Sequence, residues 1–287
     1  MTRLLHISDP HFGTVQPDVM QALLKLSRDL KPDLLVLSGD ITQRAHAEQF
    51  RQARAFCDRL AIPHMLTLPG NHDISLLNPF KRFFNPYGAY RREFGQALEP
   101  VLDLPDVCVI GVKTTRRWRH KNGEVSTGQV ARVAKRLRQA SATQLRVVVV
   151  HQPLHVLRSE DAHDALRNRE AATLAWAAAG ADLVLGGHVH LPYAVDLGQC
   201  VTGVDRHFWC VQAGTALSSR VRWEAPNSVN VLDFHAGENA CSLERWDYRK
   251  AVEVPLAEAS GLQAQKQAGL FIMAQRTSLA LDRRLPG

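Results

Sequence analysis

Short apolar runs recur along this chain, and each is closed by a polar residue able to bind a cation. Leu-Leu-His-Ile-Ser leads to Asp9-Pro10-His11, Leu-Leu-Val-Leu-Ser-Gly to Asp40, and Met-Leu-Thr-Leu-Pro-Gly to Asn71-His72-Asp73. Further on, the valines ending at Val150 lead to His151, and Leu-Val-Leu-Gly-Gly leads to His188-Val189-His190. Continuous apolar runs bounded by Gly or Pro read as strands buried on both faces. Between them the period changes: Val19, Leu23, Leu26 and Leu30 predict a helix over 16–30, which Pro32 ends. Strands at 2–8, 33–38 and 64–68 with a second helix at 46–61 make two strand-helix-strand units, whose short connections favour parallel neighbours.

The same reading continues with a strand at 107–113, a helix at 127–140 and a strand at 145–150. An Ala- and Leu-rich helix at 163–179 then runs through Gly180 into a strand at 182–187. From 192 onward the helical period fades, and runs at 193–197, 207–213, 228–234 and 240–247 read as antiparallel strands. The sum is an α/β protein with a two-sheet core and helices outside, a four-layer α/β/β/α sandwich.

Ligands of α/β sheets bind beyond the carboxyl ends of the strands, so the residues closing these runs can converge on one crevice. Singly they are ordinary, because Asp-Pro, Gly-Asn and Gly-Asp are common turn pairs. Together they offer Asp9, His11, Asp40, Asn71, His151, His188 and His190. Mixed nitrogen and oxygen donors in that number exceed the needs of one ion and suit two divalent ions with open positions. Such a pair, about 3.5–4 Å apart and sharing one aspartate, suits phosphoester hydrolysis by a bridging hydroxide.

The order D-x-H, G-D, G-N-H-D, H, G-H-x-H resembles the calcineurin-like metallophosphoesterase superfamily. It is met by Asp9-Pro10-His11, Gly39-Asp40, Gly70-Asn71-His72-Asp73, His151 and Gly187-His188-Val189-His190, and the likeness spans residues 1 to about 250. Ser38–Thr42 and Pro69–Asp73 look most like the bacterial class III cyclic nucleotide phosphodiesterase group, which includes glycerophosphodiesterase-like members. The resemblance implies the metallophosphoesterase-type α/β/β/α fold. It places one ion on Asp9, His11, Asp40 and His190, and the other on Asp40, Asn71, His151 and His188. It leaves His72 uncoordinated beside the substrate to assist the transition state or leaving group, a role that suits an imidazole titrating near working pH. Asp73 reads as orienting a ligand or capping the next turn. Arg44, four residues beyond Asp40, is a candidate phosphate clamp alongside Asn71 and His72. The donors accept Mn, Fe, Zn or Co, with Mn and Fe favoured.

Two segments bear on substrate. Asn78–Phe94 combines Phe80, Phe83, Phe84, Tyr87, Tyr90 and Phe94 with Lys81, Arg82, Arg91 and Arg92. Its rings can stack on a base while guanidinium groups hold phosphate. An amphipathic helix pair packing the rings into the core accounts for most of them. The basic run from Arg116 to Lys121, with Trp118 inside it, reads as a solvated loop or as a contact for nucleotide, phospholipid headgroup or nucleic-acid phosphate.

At 287 residues and 45% apolar content, the chain can form one large domain, expected over 1–250, with 251–287 an extension packing on the core or on a partner. Leu262–Leu281 is helix-capable, and a sheet edge, a dimer contact and a peripheral membrane contact are its rival placements. Five cysteines without a Cys-x-x-Cys pair argue against a disulfide framework and for a reducing cytoplasm. The first strand leaves no room for a signal peptide, and no apolar stretch reaches the roughly 18–20 residues that cross a bilayer. A net charge of +7 suits phosphorylated substrates as well as it suits an ordinary basic protein.

The expectation is a binuclear-metal phosphodiesterase acting on small phosphodiesters, with a 3′,5′-cyclic nucleotide first. A pyrophosphohydrolase of a nucleotide-lipid, a phosphomonoesterase and a nuclease would share the same metal core; a nuclease would bind DNA with steep salt dependence. A non-catalytic scaffold fits poorly with a chain that keeps all seven donors and His72.

Overall fold

The apolar runs pair into two six-stranded sheets. Strands β1 (Thr2–Ile7), β2 (Leu34–Leu37) and β3 (His64–Thr67) are parallel and are connected through helices α1 (Pro17–Leu30) and α2 (Ala47–Leu60). A short helix pair, α3 (Pro79–Phe84) and α4 (Gly88–Phe94), leads to β4 (Val101–Asp103) and β5 (Val107–Gly111). Helix α5 (Thr127–Gln139), β6 (Leu145–Val149), α6 (Arg169–Ala178), β7 (Leu183–Gly186), β8 (Tyr193–Asp196) and β9 (Trp209–Gln212) complete the second sheet. The chain then returns to the first sheet as β10 (Ser228–Phe234), β11 (Ala240–Arg249) and β12 (Leu270–Ala280). The strand orders are β12-β11-β10-β1-β2-β3 and β4-β5-β6-β7-β9-β8. The computed structural model describes residues 1–76, 78–119, 121–222, 225–250 and 269–283.

Strand alternation explains the layering. Leu5, Ile7, Leu35 and Leu37 face outward onto Leu23 and Phe50 of α1 and α2. Leu4, Leu34 and Val36 face inward and meet Val109, Val147, Leu183 and Leu185 of the second sheet. Ile110, Val148 and Val184 turn to the other side and pack against Leu137 and Trp176 of α5 and α6. The result is the α/β/β/α sandwich.

Several elements differ from the sequence reading. Trp209–Gln212 pairs parallel with β7 and antiparallel only with β8, because a crossover brings it in beside β7. The expected helix at 163–179 begins only at Arg169. A 3-10 turn covers Ser159–Asp164, and the next residues are held extended where Leu166 N donates to the Pro153 carbonyl and Arg167 N to that of Gly123. Leu270–Ala280 is a strand, since the outer edge of β11 offers unpaired backbone groups that a helix would leave unsatisfied. Residues 262–268 of that helix-capable stretch lie outside the described residues.

Candidate metal centre

Every candidate ligand stands just beyond the carboxyl end of a parallel strand: Asp9 and His11 after β1, Asp40 after β2, Asn71 after β3, His151 after β6, and His188 and His190 after β7. The two sheets thus contribute from opposite sides. Asp9, His11 and His190 form one convergent cluster, and Asp40, His151 and His188 a second. His190 Nε2 lies 3.2 Å from Asp9 Oδ1 and 3.1 Å from His11 Nε2. In the second cluster His151 Nε2 is 3.3 Å from Asp40 Oδ1 and 3.1 Å from Asn71 Oδ1. Asp40 also faces the first cluster, its Oδ2 being 3.8 Å from His11 Nε2.

Backbone conformation aims these side chains. Asp9, His11, Asp40, His188 and His190 all have φ between 45° and 73°, a left-handed conformation that non-glycine residues seldom take and that clusters at functional sites. Gly39, at φ 115°, brings the chain so close that a Cβ would lie 2.5 Å from His151 Nδ1. At Gly70 a Cβ would lie 2.2 Å from Asp40 Oδ1, so only glycine permits that approach.

Outer hydrogen bonds set the tautomers. His151 Nδ1 faces the Ser38 carbonyl at 3.0 Å and His190 Nδ1 that of Arg220 at 2.7 Å, which leaves both Nε2 atoms for the centre. Asp9 Oδ2 accepts from Ser8 Oγ and from the His188 backbone N–H. Asp73 points away from the clusters. It accepts from the backbone N–H groups of Ile41, Thr42 and Gly70 and from Thr42 Oγ1, tying the β2 and β3 loops together.

Charges are strongly coupled here. Burial disfavours ionised Asp40, yet His151, His72 and His11 hold its carboxyl well below the ordinary range. Burial also disfavours the His151 cation, but Asp40 overrides this and raises His151 to about 9. Burial, with the His190 and Arg220 charges beside it, takes His11 down to about 3 against the pull of Asp40 and Asp9, keeping a neutral imidazole. Burial and the Asp40 charge push Asp73 up to about 7 against the pull of its donors. A cation between the clusters fits this donor set. His188 Nε2 is buried without a hydrogen bond, 3.4 Å from Asp164 Oδ1, and convergent imidazole nitrogens beside carboxylates are what divalent ions take.

A cleft of about 230 Å³ opens over Asp40, Asn71, His72, His188 and His190. His72 is partly exposed; its Nδ1 faces the Gln43 carbonyl at 3.1 Å. Arg44 is exposed and is not among the residues lining the cleft. Arg220, which the sequence reading missed, lies there instead, with one guanidinium nitrogen 3.2 Å from His72 Nε2 and 3.3 Å from Gln43 Oε1. Lys121 and Arg222 add positive charge, and Asp161 and Asp164 negative charge. The sequence carried no signal for it, since Arg220 lies well beyond the end of the strand at 209–212, whereas the ligands follow theirs closely.

Tyr87 and Tyr90 are buried as expected of a packed helix pair. Phe80, Phe83 and Phe84 are exposed, contrary to the reading that most rings enter the core. Helix α3 spans only Pro79–Phe84, has no buried residue and lies on the surface.

A family model described as calcineurin-like phosphoesterase matches residues 2–192. A UDP-2,3-diacylglucosamine pyrophosphatase, LpxG of Chlamydia trachomatis serovar D, is 31% identical over 134 residues, 38% of this chain. The match spans 40% of that relative's length. Among solved structures, a dimetal phosphatase from Danio rerio has a TM-score of 0.65 at 10% identity, covering 98% of this chain and 99% of its own. The purple acid phosphatase PPD1 of yellow lupin (Lupinus luteus) has a TM-score of 0.64 at 16% identity, covering 95% and 53%. These two share the fold described above.

Proposed function

Because this chain belongs to the calcineurin-like phosphoesterase family, and is thereby a metal-dependent phosphoric ester hydrolase using two divalent ions, we propose that it is a phosphodiesterase of small substrates. Asp9, His11, Asp40 and His190 hold one ion in this reading, and Asp40, Asn71, His151 and His188 the other. The observation that carries it is the placement of Asp40, with Oδ1 toward His151 and Oδ2 toward His11, one oxygen for each cluster.

When bound, the ions supply Lewis acidity and an activated water. The side chains supply the rest. His72 turns Nε2 to the cleft, where it assists the transition state or the leaving oxygen. Arg220 brings a fixed positive charge beside His72 and binds a non-bridging phosphoryl oxygen. The narrow cleft suits one phosphoryl group with its nearest substituents, which supports a small diester with a 3′,5′-cyclic nucleotide as leading candidate. The likeness to a UDP-2,3-diacylglucosamine pyrophosphatase favours a second reading, cleavage of a nucleotide-lipid pyrophosphate.

The test is turnover by metal-stripped protein reconstituted with Mn²⁺. Bis(p-nitrophenyl) phosphate, p-nitrophenyl phosphate, cyclic AMP and a nucleotide diphosphate ester are compared. The proposal expects the diesters to be cleaved fastest. Preference for the diphosphate ester would transfer the site to pyrophosphate chemistry, and preference for the monoester would refute both readings.

A further inference from the structure

Phe80, Phe83, Phe84 and Trp118 are 71%, 48%, 75% and 62% exposed, an unusual outlay of aromatic surface for an isolated chain. They form one face. Arg117 donates to the Phe83 carbonyl at 2.8 Å and Arg82 to the Arg119 carbonyl at 2.7 Å, which fastens α3 to the loop after β5. The rings of Phe80 and Phe84 lie 4.6 Å apart, and the Arg117 guanidinium sits over Trp118.

The exposed charge on these two segments is basic. Lys81 in α3, Arg92 in α4 and Arg117 and Lys121 in the loop are exposed, and no Asp or Glu lies between Ile74 and Arg92 or between Lys113 and Gly123, while Arg116 and Arg119 are paired with Glu124 at the loop's far end. Aromatic side chains set in a rim of Lys and Arg match the boundary of an anionic bilayer, where rings enter the acyl region and cations meet headgroup phosphates. A nucleic acid would also meet the cations, but Phe80 and Phe84 pack on each other with their planes tilted by 37°, so they are not set apart as separate platforms for successive bases.

We propose that α3 and the Arg116–Arg119 loop form a docking face for an anionic membrane surface. Lys121 joins this basic rim to the wall of the metal cleft, so docking holds the cleft mouth beside the lipid headgroups. The inference does not depend on which phosphoester the cleft hydrolyses.

The experiment is co-sedimentation of the full chain with vesicles of equal parts phosphatidylcholine and phosphatidylglycerol, against phosphatidylcholine alone. Binding is expected only to the anionic vesicles and is expected to weaken as salt rises. A Phe80→Ser, Phe84→Ser, Trp118→Ser variant and a Lys81→Glu, Arg117→Glu variant should each bind at least about tenfold more weakly, while keeping the far-ultraviolet circular dichroism of the folded parent. Absence of sedimentation, equal binding to neutral vesicles, or full binding by either variant would overturn the proposal. So would tighter capture of a single-stranded oligonucleotide than of the anionic vesicles, lost in the same variants, which would reassign the face to nucleic acid.

Discussion

Left-handed backbone at Asp9, His11, Asp40, His188 and His190 costs on the order of 1 kcal/mol per residue, and the fold accepts it five times in one crevice. Such a cost persists where the side chain's direction matters. Asp40→Ala and Asn71→Ala, each removing a donor that the proposed function places on an ion, should lower metal-dependent turnover at least about 100-fold while leaving the circular dichroism spectrum intact. Full activity of Asn71→Ala at limiting metal would falsify the ligand assignment. Arg220→Gln should reduce kcat/KM for the diester by about 10- to 100-fold, the worth of one charge-assisted hydrogen bond, mostly through KM. His6 offers a pH test apart from the ligands. It is buried between the sheets, 2.9 Å from Ser38 Oγ, and burial lowers its pKa from 6.5 to about 3. Below pH 6.5 the unfolded chain binds a proton that the folded chain refuses. Stability therefore falls on acidification from 6.5 toward 3 by about 1.4 kcal/mol per unit, with no contribution above 6.5. Urea unfolding of His6→Gln should show a shallower acid slope than the parent, and identical slopes would exclude His6 as its source.

At the scale of elements, loops are held by side chains that cap backbone donors. Asp73 satisfies three buried backbone N–H groups, so Asp73→Ala should cost about 3 kcal/mol or more in urea unfolding, and Asp73→Asn less. Because the same loop carries Asp40, the alanine variant should also weaken metal binding; a variant of native stability would show that other groups hold the loop. Helix α5 provides a contrast far from the chemistry. Ser126 Oγ accepts from Gln129 N at 3.2 Å in a capping box, so Ser126→Ala should cost about 1 kcal/mol and leave turnover unchanged. A loss of turnover matching the loss of stability would contradict that separation.

At the scale of the molecule, the centre joins the two sheets. Asp9, His11, Asp40 and Asn71 come from the first and His151, His188 and His190 from the second, so an ion bound between them resists separation of the layers. Chelation should lower the thermal midpoint, and Mn²⁺ at a thousand times its Kd should restore about 4.1 kcal/mol. A midpoint indifferent to Mn²⁺ would argue that the clusters do not bind it. No helix among the described residues is long and apolar enough to cross a membrane.

The strand-closing pattern made the layered fold and all seven candidate ligands legible, because period and turn chemistry are local and parallel strands deliver their carboxyl ends to one side. Arg44 and Arg220 show where that legibility stops. Arg44 is near Asp40 in sequence but faces solvent, whereas Arg220 follows β9 by a long connection and enters the cleft through contacts with residues far away in sequence. The aromatic segment divided for the same reason, Tyr90 reaching Thr67 in the core while Phe80 and Phe84 found no covering layer. Arg146, set in the strand sequence Leu-Arg-Val-Val-Val, is buried, its backbone N–H donating to Asp182 Oδ2 and its guanidinium to the Gly180 carbonyl. By itself the sequence determined which residues end each strand, and so the chemistry the site can perform. Only the tertiary structure decided which cations face that site and which rings meet solvent, since burial depends on neighbours that the chain brings together after it folds.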